Sequence, residues 1–198
     1  MGEQSLTGLE AALRQLITDL HMAGVRFALV GGLAVSVRAE PRLTRDADVA
    51  VSVTDDREAE AVVQRMISYG YVPATLVEQY VAGRLATVRL THHERPAVVV
   101  DLIFASCGIE PEIVETAEDL EVLPDLVVPV ARLGHLIAMK LLARDDRRRP
   151  ADADDLRGLA AAAEESDWAT ATSAIRLIVE RGFHRNRDLA RALAELRS

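Results

Sequence analysis

Asp46 and Asp48 stand two residues apart where Thr44-Arg45-Asp46-Ala47-Asp48 runs into Val49-Ala50-Val51-Ser52-Val53. The run over 47–53 reads as a strand that these two acids open. Side chains alternate across a strand, so residues two apart project from one face and both carboxylates point the same way. Upstream, the apolar run Phe27-Ala28-Leu29-Val30 reads as a buried strand that ends at Gly31-Gly32, and a helix is expected over 33–38. Glycines at a strand-to-helix junction leave backbone N–H groups uncovered. The helix N-terminus adds positive potential, so the turn suits a phosphate. A phosphate cradle beside a carboxylate pair is the layout a metal-dependent nucleotide enzyme needs.

Asp101 extends the pattern. It interrupts Val98-Val99-Val100-Asp101-Leu102-Ile103-Phe104, an otherwise apolar strand, where an ionised carboxylate needs a partner or a cation. If that strand lies beside the Asp46/Asp48 strand, three carboxylates converge. Two like charges ~4 Å apart repel by about 4 kcal/mol at an effective dielectric near 20, so such a cluster holds protons or a divalent cation. Oxygen-only ligands point to Mg²⁺, with Mn²⁺ a substitute. The plainer alternative is that Asp101 ends its strand early and faces water. Lys140 follows Leu136 by four and Ile137 by three, on the inward stripe of its helix. It either snorkels to the rim or reaches a triphosphate. Asp152 and Asp155 are three apart, share a helical face, and by themselves read as acids at a helix start. His92 and His93 are adjacent on a strand, point to opposite faces by alternation, and receive no ligand role.

The elements that must position these groups follow from periodicity. Thr7 and Glu10 resemble a capping box, and Leu6, Leu9, Leu13, Leu16, Ile17 and Leu20 follow helical spacing in a helix that Gly24 ends. Asp55-Asp56 start a charged helix closed by Gly70. β-rich runs follow over 84–91 and 97–104, and a hairpin around Pro124-Asp125 joins 120–123 to 126–130. Helices are expected near 131–145, 152–164, 167–181 and 186–197. The division is a mixed core over 1–130 and a helical region over 131–198.

Composition bounds the rest. The chain has 198 residues, 49% hydrophobic and 27% charged, with a net charge of −8 that argues against a general nucleic-acid coat. A single cysteine, Cys107, excludes an internal disulfide and reads as a buried or loop thiol. No apolar run is long enough to span a membrane and no signal pattern opens the chain, so the cytoplasm is the expected location. Seven acids and no base fall in residues 110–125, whereas six arginines face three acids in 172–198. The first suits a basic partner. The second, Arg176, Arg181, Arg185, Arg187, Arg191 and Arg197, either meets RNA, with Arg185 and Arg187 remote in sequence from the phosphate turn, or pairs with acids on neighbouring helices.

Taken together, Gly31-Gly32, Thr44-Arg45-Asp46-Ala47-Asp48, Asp101, Lys140 and the segment from Arg149 to Leu156 resemble the nucleotidyltransferase superfamily. Within it they are similar to the AbiEii/MenT-type toxins of type IV toxin–antitoxin systems, over nearly the whole chain. The resemblance implies an α/β (α+β) fold, a nucleotidyltransferase-like mixed sheet with flanking helices followed by a C-terminal helical bundle. It implies transfer of a nucleoside monophosphate from an NTP to an acceptor, the 3′ end of tRNA in the toxin branch, and a cognate antitoxin as partner. Asp46 and Asp48 would hold two metals, and Asp101 would complete one site and help deprotonate the attacking hydroxyl. Gly31 and Gly32 would seat the phosphates, through backbone N–H groups because Gly32 replaces the serine of many relatives. Thr44 and Arg45 would lie at the substrate. Lys140 would offset charge on the leaving pyrophosphate, with Asp152 or Asp155 orienting it. Rival readings are transfer to a protein or small-molecule hydroxyl, or a silent nucleotide-binding module. Thr44 lies two residues before Asp46, so strand alternation places its hydroxyl on the metal face, where a phosphate would add a charge of about −1.5 to −2.

Overall fold

Four apolar residues are enough for β1 (Phe27–Val30), because both its faces are covered and every one of its side chains is buried. The computed structural model describes residues 2–41, 44, 46–79, 83–144 and 151–198, with side chains from residue 8 onward. Arg45 and the run 145–150 lie outside the described residues. β1 passes directly into α2 (Gly31–Arg38), two residues earlier than the sequence pattern suggests. β2 (Asp46–Val51) likewise begins earlier and ends earlier than expected, so both of its aspartates are strand residues.

Among the described residues the strands form one mixed sheet, which also contains β3 (Tyr71–Gln79), β4 (Arg84–His92), β5 (Arg95–Ile103), β6 (Glu118–Leu123) and β7 (Leu126–Val130). The order is β3-β4-β5-β2-β1-β7-β6. β2 runs parallel to β5 and antiparallel to β1, while β1 runs parallel to β7. The remaining neighbours are antiparallel. The expected hairpin at Pro124-Asp125 is the β6–β7 connection, with Asp125 at φ 59°.

α1 (Gly2–Met22) lays Leu13, Leu16, Ile17 and Leu20 on the sheet. It begins at Gly2, so Thr7 lies inside it and does not cap its start; Glu3-Gln4-Ser5-Leu6 contains no breaker to stop the helix there. α3 (Asp56–Ser68) opens as expected, with the Asp55 side chain accepting the Glu58 N–H at 2.9 Å. The short α4 (Glu110–Glu115) precedes β6. After β7 come α5 (Leu133–Ala143), α6 (Ala151–Ala162), α7 (Glu165–Glu180) and α8 (Leu189–Arg197). One apolar core runs from α1 through the sheet to these last helices. No helix of the described residues is long and apolar enough to cross a membrane.

Two features differ from the sequence pattern for physical reasons. β3 is an edge strand with most residues exposed and Pro73 inside it, so it lacks the alternation that marks a half-buried strand. His92 ends β4 and His93 belongs to the following turn, so alternation does not separate their rings, which lie 4.5 Å apart. They are engaged with the Tyr69 and Gly70 carbonyls at 3.1 and 2.9 Å.

Candidate active site

Strand register assembles the charged groups into a row. Arg89 on β4 is opposite Asp101 on β5, Asp101 is opposite Asp48 on β2, and Asp48 is opposite Val30 on β1. Residues paired in this way share a face, so Arg89, Asp101 and Asp48 project together. Asp101 is therefore inside its strand and only 8% exposed, not at a solvated strand end. Its unforeseen partner is Arg89, which donates through Nε to Oδ1 at 2.9 Å and through Nη2 to Oδ2 at 2.7 Å. The signal was available: Ala86, Val88 and Leu90 alternate inward on β4, which leaves Arg89 on the face that Asp101 needs neutralised.

Gly31 is required at its position twice over. Its φ of 63° is in the left-handed region, and a Cβ there would lie 1.8 Å from Asp48 Oδ2. The turn thus lets the Asp48 carboxylate sit against bare backbone, where it accepts the Gly32 N–H. Burial pushes the Asp48 carboxyl up to about 6, reinforced by the Asp101 and Asp46 charges and opposed by Lys140 and that hydrogen bond. Asp46, at the start of the strand, is exposed.

Lys140 faces inward from α5. Its Nζ lies 2.7 Å from Asp152 Oδ1 and 2.7 Å from Asp155 Oδ2 on α6, so both acids engage it. All three side chains are largely buried, at 14%, 7% and 1% exposure. Asp152 Oδ2 is buried without a hydrogen-bond partner among the described residues.

These groups meet in one cleft of ≈ 340 Å³, lined by Gly31, Asp48, Arg89, Asp101, Lys140 and Asp152 among others. Its volume is in the range of small-molecule sites. Among the described residues, no three His, Cys, Asp or Glu side chains close on a single metal position; Asp101 is engaged by Arg89. The donor set nevertheless fits a divalent cation. Asp46 and Asp48 share a strand face, all their ligand atoms are oxygen, and the repulsion from Asp101 and Asp46, which adds to burial in lifting the Asp48 carboxyl, is what a cation relieves.

Several expected site features fall elsewhere. Thr44 precedes β2, so strand alternation does not reach it; its hydroxyl donates to the Asp46 carbonyl at 3.4 Å, and it does not line the cleft. Arg45 lies outside the described residues. Arg185, remote in sequence from the phosphate turn, lines the same cleft as Gly31. Arg181 pairs with Glu112, Arg191 with Glu195 and Arg197 with Glu165, so much of the basic tail faces its own chain. The acidic stretch is also partly used internally. Glu110 is buried and accepts the Ser106 and Cys107 N–H groups, and Glu118 meets Arg38 and Arg132. Cys107 is a buried loop thiol, as expected.

A family model described as nucleotidyl transferase AbiEii toxin, type IV TA system, matches residues 15–198. None of the curated proteins matches the chain. Among solved structures, an antigenic nucleotidyltransferase-like protein from Paracoccidioides brasiliensis is 18% identical, with 95% of this chain and 93% of that one covered and a TM-score of 0.53. MenT4, a nucleotidyltransferase toxin from Mycobacterium tuberculosis H37Rv, is 17% identical, with 96% and 92% covered and a TM-score of 0.48.

Proposed function

The chain belongs to the AbiEii family of nucleotidyltransferase toxins of type IV toxin–antitoxin systems, and on that basis we propose that it transfers a nucleoside monophosphate from an NTP to the 3′-terminal hydroxyl of tRNA. The observation that carries the transfer reading is the row Arg89–Asp101–Asp48 abutting Gly31 in the cleft that also holds Lys140. The tRNA acceptor rests on the resemblance of the motifs to the toxin branch. It also suits a toxin, since a blocked 3′ end cannot be aminoacylated.

In this reading the core, 1–130, supplies the carboxylates and the helical region, 131–198, supplies Lys140, Asp152 and Asp155. Asp46 and Asp48 would hold divalent metal, Mg²⁺ or Mn²⁺, with Asp101 completing the set, and the metal would supply charge neutralisation at the phosphates. Gly31 and Gly32 bring bare backbone and the N-terminus of α2 to the phosphates. Arg89 fixes the Asp101 carboxylate toward the acceptor hydroxyl, whose proton Asp101 receives. The hydroxyl oxygen bonds to the α-phosphorus as the bond to the bridging oxygen breaks and pyrophosphate leaves. Lys140, steered by Asp152 and Asp155, offsets the charge on that leaving group. A cognate antitoxin holds the activity in check, and the reaction takes place in the cytoplasm.

The test is incubation of the purified protein with each α-labelled NTP, Mg²⁺ and total tRNA. Label in tRNA, absent with Asp48→Ala, is the expected outcome. Label in protein alone would replace tRNA with a protein acceptor, and no label in any fraction would sink the transfer reading.

A further inference from the structure

The end of the cleft beyond the carboxylates is built from different chemistry. Two residues along the same face, a second row crosses the sheet: Val77 opposite Thr87, Thr87 opposite Ile103, and Ile103 opposite Ala50. Val77, Thr87 and Ile103 line the cleft, and Leu136, Met139 and Leu142 of α5 face the same space. The two rows are ~7 Å apart along the strands, comparable to the reach from the α-phosphate of a nucleotide across its ribose. An apolar slot at that distance suits the flat faces of a nucleobase, which bury well against aliphatic side chains.

Arg185 and Ser106 contribute the polar groups here. Arg185 Nη2 donates to the Ser106 carbonyl at 3.1 Å and to its hydroxyl at 3.2 Å, across 79 residues of sequence. Arg185 and Asn186 are consecutive left-handed residues, at φ 53° and 57°. Two such non-glycine residues in succession are uncommon and are retained where the surroundings over-determine them. The turn delivers a guanidinium to a slot otherwise lined mainly by aliphatic side chains.

We propose that, if the chain binds nucleotide as set out above, this end of the cleft is a nucleobase subsite in which Arg185, anchored on Ser106, reads a ring carbonyl. A guanidinium only donates hydrogen bonds. Guanine, cytosine and uracil present carbonyl oxygens to it, and guanine adds N7 beside O6 for a two-point contact. Adenine offers single ring nitrogens, and the amino group beside its N7 opposes the second donor of a two-point contact. The chain therefore selects carbonyl-bearing nucleotides over ATP.

Equilibrium binding of GTP, CTP, UTP and ATP with Mg²⁺, followed by calorimetry, tests this on the wild-type chain, Arg185→Ala and Arg185→Lys. At least one carbonyl-bearing nucleotide is expected to bind wild type on the order of tenfold or more tightly than ATP, the scale a two-point arginine contact supplies. Both variants are expected to reduce that ratio to about twofold, because lysine keeps the charge but not the fork. Ser106→Ala, which removes the anchoring hydroxyl and leaves the guanidinium, reduces it partly and serves if the Arg185 variants melt early. Equal affinity of wild type for all four nucleotides overturns the proposal. So does an equal loss for all four in Arg185→Ala, which would mark a phosphate contact. Base-selective binding without labelled acceptor would overturn the transfer reading alone, transfer without base selection would overturn this one alone, and no nucleotide binding would overturn both.

Discussion

Arg89 and Asp101 are cross-strand partners whose side chains close a two-point ion pair, at 2.9 and 2.7 Å. The Asp101 carboxylate in turn holds Arg89 in its charged form well beyond the usual arginine range. The pair is half-open, since the Arg89 side chain is 47% exposed and that of Asp101 11%. Arg89→Met leaves Asp101 without its cation beside Asp48. The metal-free protein is expected to lose about 1–2 kcal/mol in urea unfolding, less than a fully buried pair because water screens Arg89. The same change frees both Asp101 oxygens, so the Mg²⁺ concentration that restores stability is expected to fall.

Asp48 sets an opposite trade. Its folded carboxyl titrates at about 6 against an ordinary 3.8, so the folded chain holds this proton more tightly than the unfolded one. Stability is therefore lost as pH rises from 3.8 through 6, and the penalty is complete at pH 7. Asp48→Asn is expected to stabilise the metal-free protein at pH 7 by roughly 1–3 kcal/mol and to abolish transfer. A variant less stable than wild type at pH 7, or one that still labels the acceptor, would remove Asp48 from the role given to it.

Gly31 and Gly24 are both left-handed, at φ 63° and 66°, but a Cβ at Gly24 meets nothing within 4 Å. Gly24→Ala is expected to cost only the backbone term, about 1 kcal/mol. Gly31→Ala adds the collision with Asp48 and is expected to cost more and to eliminate NTP binding. Parallel denaturation of the two variants, with nucleotide titration, separates the conformational effect from the close approach.

Lys140→Ala removes the cation that the two buried carboxylates of Asp152 and Asp155 engage. A loss of about 3–5 kcal/mol is expected, with partial recovery on adding Asp155→Asn. Failure of the second substitution to recover any stability would show that the lysine charge is not what holds α5 to α6.

His135 titrates in the acid range. Burial, and next to it the Arg132 charge, push it down to about 4 from 6.5. Its contribution to stability is therefore complete above pH 6.5 and is lost as pH falls through 4, because the unfolded chain takes up the proton first. The loss is expected to reach ~3 kcal/mol across that window. His135 is 6% exposed and its Nδ1 has no hydrogen-bond partner among the described residues, so His135→Leu should flatten the dependence without removing a bond from that atom.

Local pattern in the sequence determined much of this protein. The apolar run before Gly31-Gly32, the two-residue spacing of Asp46 and Asp48, the isolated Asp101 and the inward Lys140 are each legible within about a dozen residues, because strand and helix periods are local properties. The same holds for the four terminal helices and the β6–β7 hairpin. Tertiary structure alone decided which of these groups meet. The row Arg89–Asp101–Asp48 depends on the register of three strands, and a one-residue slip would send a side chain to the other face. Lys140 found two acids instead of one because α5 and α6 pack face to face. Arg185, which looks remote in sequence, reaches Ser106 through a left-handed turn. β3 carries no such local pattern, since an exposed edge strand needs no alternation. Contacts between distant segments are set by packing and pairing geometry, and composition and spacing carry no direct record of it.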